Sequence, residues 1–192
     1  MSKPCFLLIL CLSLWLGSFA AANDWKVSFF EPIQPPRPIQ VMAHRGAAGQ
    51  APENTRPALQ RAIEDGFEWA EIDLQLTRDG KHILYHDSKL DGKTNGTGRI
   101  VDYSLADLKQ LDAGSKFAPR YAGERLLSLQ EAFEIARGKL NFYLDCKTIN
   151  PELLAREILD AGMERQVVVF SDPETLQRIR AASQGRVPVM PK

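Results

Sequence analysis

Residues 41–87 read VMAHRGAAGQAPENTRPALQRAIEDGFEWAEIDLQLTRDGKHILYHD. Two histidines, His44 and His86, stand at the ends of apolar runs, and Glu71-x-Asp73 lies inside another. Alternate side chains of a strand share a face. Glu71 and Asp73 therefore point the same way, flanked by Ala70, Ile72 and Leu74. Two carboxylates about 7 Å apart on one face repel each other in an apolar setting unless a cation lies between them. A solvent-facing strand edge is the other reading of the pair. Asp79-Gly80 between two alternating runs predicts a two-residue hairpin. That register pairs Arg78 with Lys81 and sets Asp73 opposite His86, with opposed side chains about 5 Å apart. It also sets His82 opposite Thr77, on the surface and away from Asp73.

Strands and helices alternate outward from this stretch. A strand over 39–43 ends at His44-Arg45-Gly46. The small residues 47–52 make a loop, and a helix follows with Pro57 in its first turn, an apolar face of Leu59, Ala62 and Ile63, and Gly66 just past its end. After His86 the glycine-containing segment LDGKTNGTGRIVDYS shows no period and is a loop, of a length that is usually functional in a compact domain. Ser104 caps a helix carrying Leu105, Leu108 and Leu111 and stopping at Gly114. Ser128 with Glu131 forms a capping box, and Asn150-Pro151 opens a further helix. Residues 140–144 form a strand that ends in Asp145-Cys146-Lys147. A second apolar strand spans 167–170, a helix starts at Asp172-Pro173, and another strand begins at Val187. Strand and helix alternating with short loops give an α/β chain with a parallel sheet.

The motifs together resemble the glycerophosphodiester phosphodiesterase family. The resemblance rests on His44-Arg45-Gly46, Pro52-Glu53-Asn54-Thr55, Glu71-x-Asp73, Thr77-Arg78-Asp79-Gly80 and His86-Asp87, in that order and at the family's spacing. It covers residues 39–192 and implies a TIM-type (β/α) barrel. Such barrels run to about 250 residues and this chain has 192. The strand at Val187 is near the sixth, so the expectation is an incomplete barrel, its last β/α units missing.

Barrel active sites form at the C-terminal ends of the strands, where His44, Glu71, Asp73 and Asp145 all fall. The resemblance implies that Glu71, Asp73 and Asp145 bind one divalent cation, Ca²⁺ or Mg²⁺, as an all-oxygen donor set suits. It implies phosphodiester cleavage, with Arg45 and Lys147 on the phosphate and His44 and His86 as general base and acid. The attacking group is the substrate's own glycerol hydroxyl, through a cyclic intermediate, or water. The family's third acid is often a glutamate in an E-x-K strand end, where this chain has Asp145 and Lys147. The expected partner is a small glycerophosphodiester, cleaved to glycerol 3-phosphate and an alcohol. Two alternatives are a truncated, non-catalytic remnant and a phospholipase D-like relative; the intact Pro52-Glu53-Asn54-Thr55 argues against the second. Glu53 and Asn54 contact the metal or substrate, or fix the loop and cap the helix after it. Cys146 points away from Asp145 and Lys147 and reads as packing, and Asp87 as a turn residue or an orienting partner.

Composition agrees with one globular domain. Hydrophobic residues make up 44% and charged residues 25%, with a net charge of zero and no basic patch to suggest nucleic acid. Lys3, the apolar run over 5–16 and Gly17-Ser18-Phe19-Ala20-Ala21-Ala22 read as a secretory signal peptide over residues 1–22. The run is shorter than the ~20 residues of a spanning helix, although an uncleaved anchor is the other reading. The protein is expected to be exported, periplasmic or secreted. Residues 23–38, with four prolines, form an extended lead-in. Cys146 alone remains after the leader, so no intrachain disulfide framework is available.

Overall fold

In the computed structural model, residues 39–192 are described. The expected leader at 1–22 and lead-in at 23–38 lie outside the described residues. Five parallel strands run in the order β1 (Met42–Ala43), β2 (Trp69–Leu76), β4 (Asn141–Cys146), β5 (Val167–Ser171) and β6 (Val189–Pro191), and β3 (His82–Leu84) pairs antiparallel with β2. The strand at Val187 is thus the sixth overall but the fifth in the parallel series, because the hairpin uses one. β1 is shorter than the expected 39–43, and Ile39 is exposed.

The helices are α1 (Arg56–Glu64), α2 (Leu105–Leu108), α3 (Leu129–Ala136), α4 (Pro151–Asp160) and α5 (Pro173–Ala182). Their starts follow the caps in the sequence. Ser128 Oγ accepts from Glu131 N at 3.3 Å, and Glu131 Oε2 accepts from Ser128 N at 2.9 Å, a capping box. Asn150 and Asp172 accept from the third residue beyond them, at 2.9 and 3.0 Å, each before a proline at the first helical position. Gly66, at φ 72°, closes α1: its amide donates to Ile63 O and that of Phe67 to Ala62 O, both at 3.0 Å. This double bond is the Schellman arrangement.

Even-numbered residues of β2 and β4 face the helices. Ala70, Ile72, Leu74, Phe142 and Leu144 are fully buried in one cluster with Leu59, Phe133, Leu154, Ile158 and Ile179. Burial of each large apolar side chain contributes about 1.5–3 kcal/mol, so this face fixes which strand residues point inward. Odd-numbered residues are left for the opposite face, where the carboxylates lie. The lower part of that face is apolar and open: Met42, Trp69, Tyr143, Val168 and Val189 line a trough of about 450 Å³.

Four expectations are corrected. The hairpin loop has three residues, not two. Leu76 pairs with His82 and Leu74 with Leu84, Thr77 N donates to Lys81 O at 2.9 Å, and Gly80 sits at φ 69°. The cause is Asp79, whose carboxylate accepts from Thr77 Oγ1 at 2.6 Å and from the first amide of α2 at 2.9 Å. A one-residue change flips each side chain of the strand, so Tyr85, not His86, lies across from Asp73. For the same reason His82 is buried rather than at the surface. Its Nδ1 is 2.5 Å from Glu157 Oε2, and Nε2 accepts from Asn150 N at 3.2 Å. Finally, α2 ends at Leu108 instead of reaching Gly114.

The expected loop over 90–104 is part of a longer folded segment, residues 88–127. Short 3₁₀ turns and α2 surround a second small core of Leu90, Ile100, Leu108, Ala113 and Leu126 against Ile83 and Tyr85. Asp112 organises its far end, accepting from the amides of Gly114, Ser115 and Gly123 and from Ser115 Oγ. These bonds hold its carboxyl well below the usual range.

Candidate active site

Pairing of β2 with β4 sets Asp73 directly beside Asp145, with Glu71 two residues earlier on the same face. One carboxylate oxygen from each of Glu71, Asp73 and Asp145 lies within 4.8 Å of the other two. Asp145, a shorter acid than the glutamate the family often has, thus completes the group. Lys147 joins it: its Nζ is 2.6 Å from Asp145 Oδ2 and 3.2 Å from Asp73 Oδ1. Lys192 Nζ lies 3.6 Å from Asp145 Oδ1.

Arg45 closes the other side. Its Nε is 3.6 Å from Asp73 Oδ2, and its Nη1 donates to Glu53 Oε1 at 3.1 Å. The backbone explains the His-Arg-Gly sequence. Arg45 and Gly46 both have positive φ, 52° and 74°, so the chain reverses sharply at the end of β1. Arg45 N then donates to Glu71 Oε2 at 2.8 Å and Gly46 N to Glu71 O at 3.1 Å. A Cβ on Gly46 would stand 2.9 Å from that of Ala58 in α1. Gly46→Ala is therefore expected to cost on the order of 3 kcal/mol, from left-handed strain and overpacking. Denaturant midpoints against the parent chain measure it.

Asn54 bonds one of the three acids. Its Nδ2 donates to Asp73 Oδ2 at 2.9 Å and its Oδ1 accepts from Asp73 N at 3.1 Å. This buried side chain, at φ 57°, spends backbone strain to hold one carboxylate from two directions. Glu53 accepts from Arg45 and from Lys93, each at 3.1 Å. Neither residue caps α1, whose N-cap is Thr55.

His44 is 71% exposed, with Nε2 3.8 Å from Glu71 Oε2. His86 is not brought in by strand pairing as expected. Instead Gln75 Nε2 donates to the carbonyls of His86 and Asp87, both at 3.1 Å. Gln75 follows Glu71 and Asp73 by the same alternation, so it holds the backbone at His86 and Asp87 as the chain leaves β3. Asp87 Oδ1 is 2.6 Å from His86 Nδ1, the orienting role expected of it. Sequence reasoning missed Gln75, although the spacing 71, 73, 75 signals it. Cys146 is buried as expected, and burial pushes its thiol up to about 12.

The acids fit a divalent cation. Asp73 Oδ1 and Asp145 Oδ1 are buried and accept no well-formed hydrogen bond. Glu71 is pushed up to about 7, first by burial and next by the charge on Asp73, with Asp145 adding to it. Three oxygen donors of this kind, facing one point, are the hard ligands that calcium and magnesium take.

Residues 44–185 match the glycerophosphoryl diester phosphodiesterase family. The chain belongs to this family. It is 41% identical over 128 residues to a glycerophosphodiester phosphodiesterase of Caldanaerobacter subterraneus, covering 67% of this chain and 50% of that one. It is 38% identical to the Bacillus subtilis enzyme over 173 residues, covering 86% and 59%. Among solved structures, the glycerophosphodiester phosphodiesterase of Agrobacterium tumefaciens is similar at a TM-score of 0.72 and 32% identity, over 76% of this chain and 63% of that one. A phosphodiesterase of Oleispira antarctica, in complex with its product sn-glycerol-3-phosphate, is similar at 0.66 and 34%, over 80% and 64%. The chain thus spans between half and two thirds of the length of these relatives. The α/β sheet is that of the family's barrel. Among the described residues no helix is long and apolar enough to cross a membrane.

The raised Glu71 has a sign that can be tested. Between its usual 4.5 and about 7, the folded chain holds a proton that the unfolded chain has released. Without cation, stability is therefore expected to fall by on the order of 2 kcal/mol as pH rises through that window and to level off above it. Cation affinity should rise over the same window, because the ligand must be ionised. Urea unfolding in chelator at stepped pH checks the first statement, and Glu71→Gln should flatten the profile.

Proposed function

We propose that the chain hydrolyses glycerophosphodiesters in a divalent-cation-dependent reaction, releasing glycerol 3-phosphate and an alcohol. The observation that carries the reading is the convergence of Glu71, Asp73 and Asp145 with Arg45 and Lys147 on either side. Calcium or magnesium, held by the three acids, would supply Lewis-acid polarisation of the phosphoryl group.

The chain's own residues do the rest. Arg45 and Lys147 neutralise the phosphate, the first as a planar fork and the second as a point charge. His86 has a fixed tautomer: with Nδ1–H donated to Asp87, its Nε2 carries the lone pair in the neutral ring and the proton in the charged one. It can therefore give a proton to the departing alkoxide. His44, solvent-facing and 3.8 Å from Glu71, is the base that removes a proton from the attacking hydroxyl. That hydroxyl belongs to the substrate's glycerol or to water; a substrate lacking the free 2-hydroxyl separates the two. Export by a cleaved leader over residues 1–22 is part of the same proposal.

Release of glycerol 3-phosphate from a glycerophosphodiester is the assay, run with and without chelator. Chelation is expected to stop release and added cation to restore it. Activity indifferent to both chelator and His44→Ala would refute the reading. One observation favours a second reading, a folded chain that binds but does not turn over: the open apolar trough below the carboxylates, with Met42 and Met190 exposed at strands β1 and β6. Cation-dependent stabilisation without any release would support that second reading.

A further inference from the structure

Lys192 borders the acid group from the β6 side, as Arg45 does from the β1 side, and the proposed reaction gives it no task. Alternation brings it there. Asp73 pairs with Asp145, Asp145 with Phe170 and Phe170 with Met190, across β2, β4, β5 and β6. That row lies on the carboxylate face, and Lys192 follows Met190 by two residues on the same face. Its amide donates to Ser171 O at 2.9 Å, so the sheet fixes the backbone from which the side chain extends.

The two lysines at Asp145 are held differently. Lys147 Nζ is 2.6 Å from Asp145 Oδ2 and 3.2 Å from Asp73 Oδ1, so it is committed to the acids. Lys192 Nζ is 3.6 Å from Asp145 Oδ1, an ion pair beyond hydrogen-bond length. Among the described residues its hydrogen-bond partner is Cys146 O, at 3.3 Å. An ammonium carries three N–H donors, so Lys192 keeps donors for a ligand. It is half-exposed and stands 5.5 Å from the centre of the Phe170 ring, which steadies the head without supplying a carboxylate. Asp172, the acid that follows β5, is occupied by the amide of Thr175 at 3.0 Å and by Ser171 Oγ at 3.3 Å.

Charge balance points the same way. Glu71, Asp73 and Asp145 are opposed by Arg45, Lys147 and Lys192, each within 3.6 Å of one of these acids. With a divalent cation on the ionised acids the group carries a surplus of two positive charges. A phosphomonoester dianion cancels it. We propose that Lys192 is a phosphate-binding residue of the site, donating to a phosphoryl oxygen from the side of the sheet opposite Arg45. The proposal rests on the phosphodiesterase reading above for its substrate.

Calorimetry of the calcium-loaded chain with glycerol 3-phosphate as the probe tests it. Lys192→Met keeps the stem and removes the charge. Lys139→Met removes an exposed charge before the N-terminal end of β4, remote from the acids, and measures the effect of net charge alone. Lys192→Met is expected to raise the Kd of glycerol 3-phosphate about tenfold, as loss of a charge-assisted hydrogen bond does, and Lys139→Met to leave it unchanged. The Kd of calcium without phosphate should not weaken in Lys192→Met, because the group removed is a cation beside a ligand. Tm checks folding, and Lys192→Gln is used in place of methionine where methionine lowers it. An unchanged Kd for glycerol 3-phosphate, an equal loss in Lys139→Met, or a loss matched by weaker calcium binding overturns the assignment; with release of glycerol 3-phosphate from a diester by the parent chain, it leaves the phosphodiesterase reading standing. The expected pattern without release keeps the assignment and overturns that reading. No binding of glycerol 3-phosphate by the calcium-loaded parent chain overturns both.

Discussion

Exchange of Asp73 for alanine is expected to lower diester hydrolysis on the order of 10³-fold or more and to abolish stabilisation by a divalent cation. Asp73 is fully buried, beside Asp145 in the sheet and within the group of three acids. Asn54, Arg45 and Lys147 all converge on it. Its removal takes away a ligand and leaves two cations with less to neutralise them. A cation present at a hundred times its Kd stabilises the native state by about 2.7 kcal/mol, roughly 5–10 °C in Tm for a domain of this size. The parent chain should show that shift and Asp73→Ala should not. Asp73→Asn preserves shape but not charge. It is expected to resemble alanine in activity while keeping more of the cation-free stability.

The second large effect is kinetic and leaves cation binding intact. His44→Ala and His86→Ala are each expected to lower kcat by about 10²–10⁴-fold, the usual contribution of a positioned acid or base. Neither histidine bonds a carboxylate of the acid group: His44 lies 3.8 Å from Glu71, and His86 is tied to Asp87. Cation-induced Tm shifts should therefore persist in both variants, in contrast with Asp73→Ala. Asp87→Asn should cost less, because Nδ1–H keeps an acceptor but loses the charge that stabilises the imidazolium. Steady-state rates and thermal unfolding of the same preparations separate the two classes of residue.

Much of this site is legible in the sequence. Glu71 and Asp73 share a face because strands alternate, and the capping residues Ser128, Asn150 and Asp172 place three helices. Those features depend on neighbours along the chain. What escapes sequence reading depends on contacts between distant segments. Asp79 bonds the start of α2, 26 residues away, and so widens a turn that Asp-Gly alone predicts as tight. That single residue of register turns His82 from surface to core, where Glu157 and Asn150 use both its ring nitrogens. His86 is held by Gln75 and Asp87 instead of by the ladder. The segment 90–104 reads as a loop because the core it helps to build takes scattered single residues from it, Leu90 and Ile100. Scattered residues leave no periodic trace.

Asp145 shows the reverse case. A side chain shorter than the family's glutamate raises a question of reach. The parallel register with β2 answers it, because Asp145 pairs with Asp73 itself.

Diffraction from crystals grown with calcium and glycerol 3-phosphate tests the central claim most directly. The account predicts one ion bound at about 2.3–2.6 Å by carboxylate oxygens of Glu71, Asp73 and Asp145, with the phosphate between that ion and the side chains of Arg45 and Lys147. An ion that avoids these three acids, or a phosphate seated away from Arg45, would contradict it.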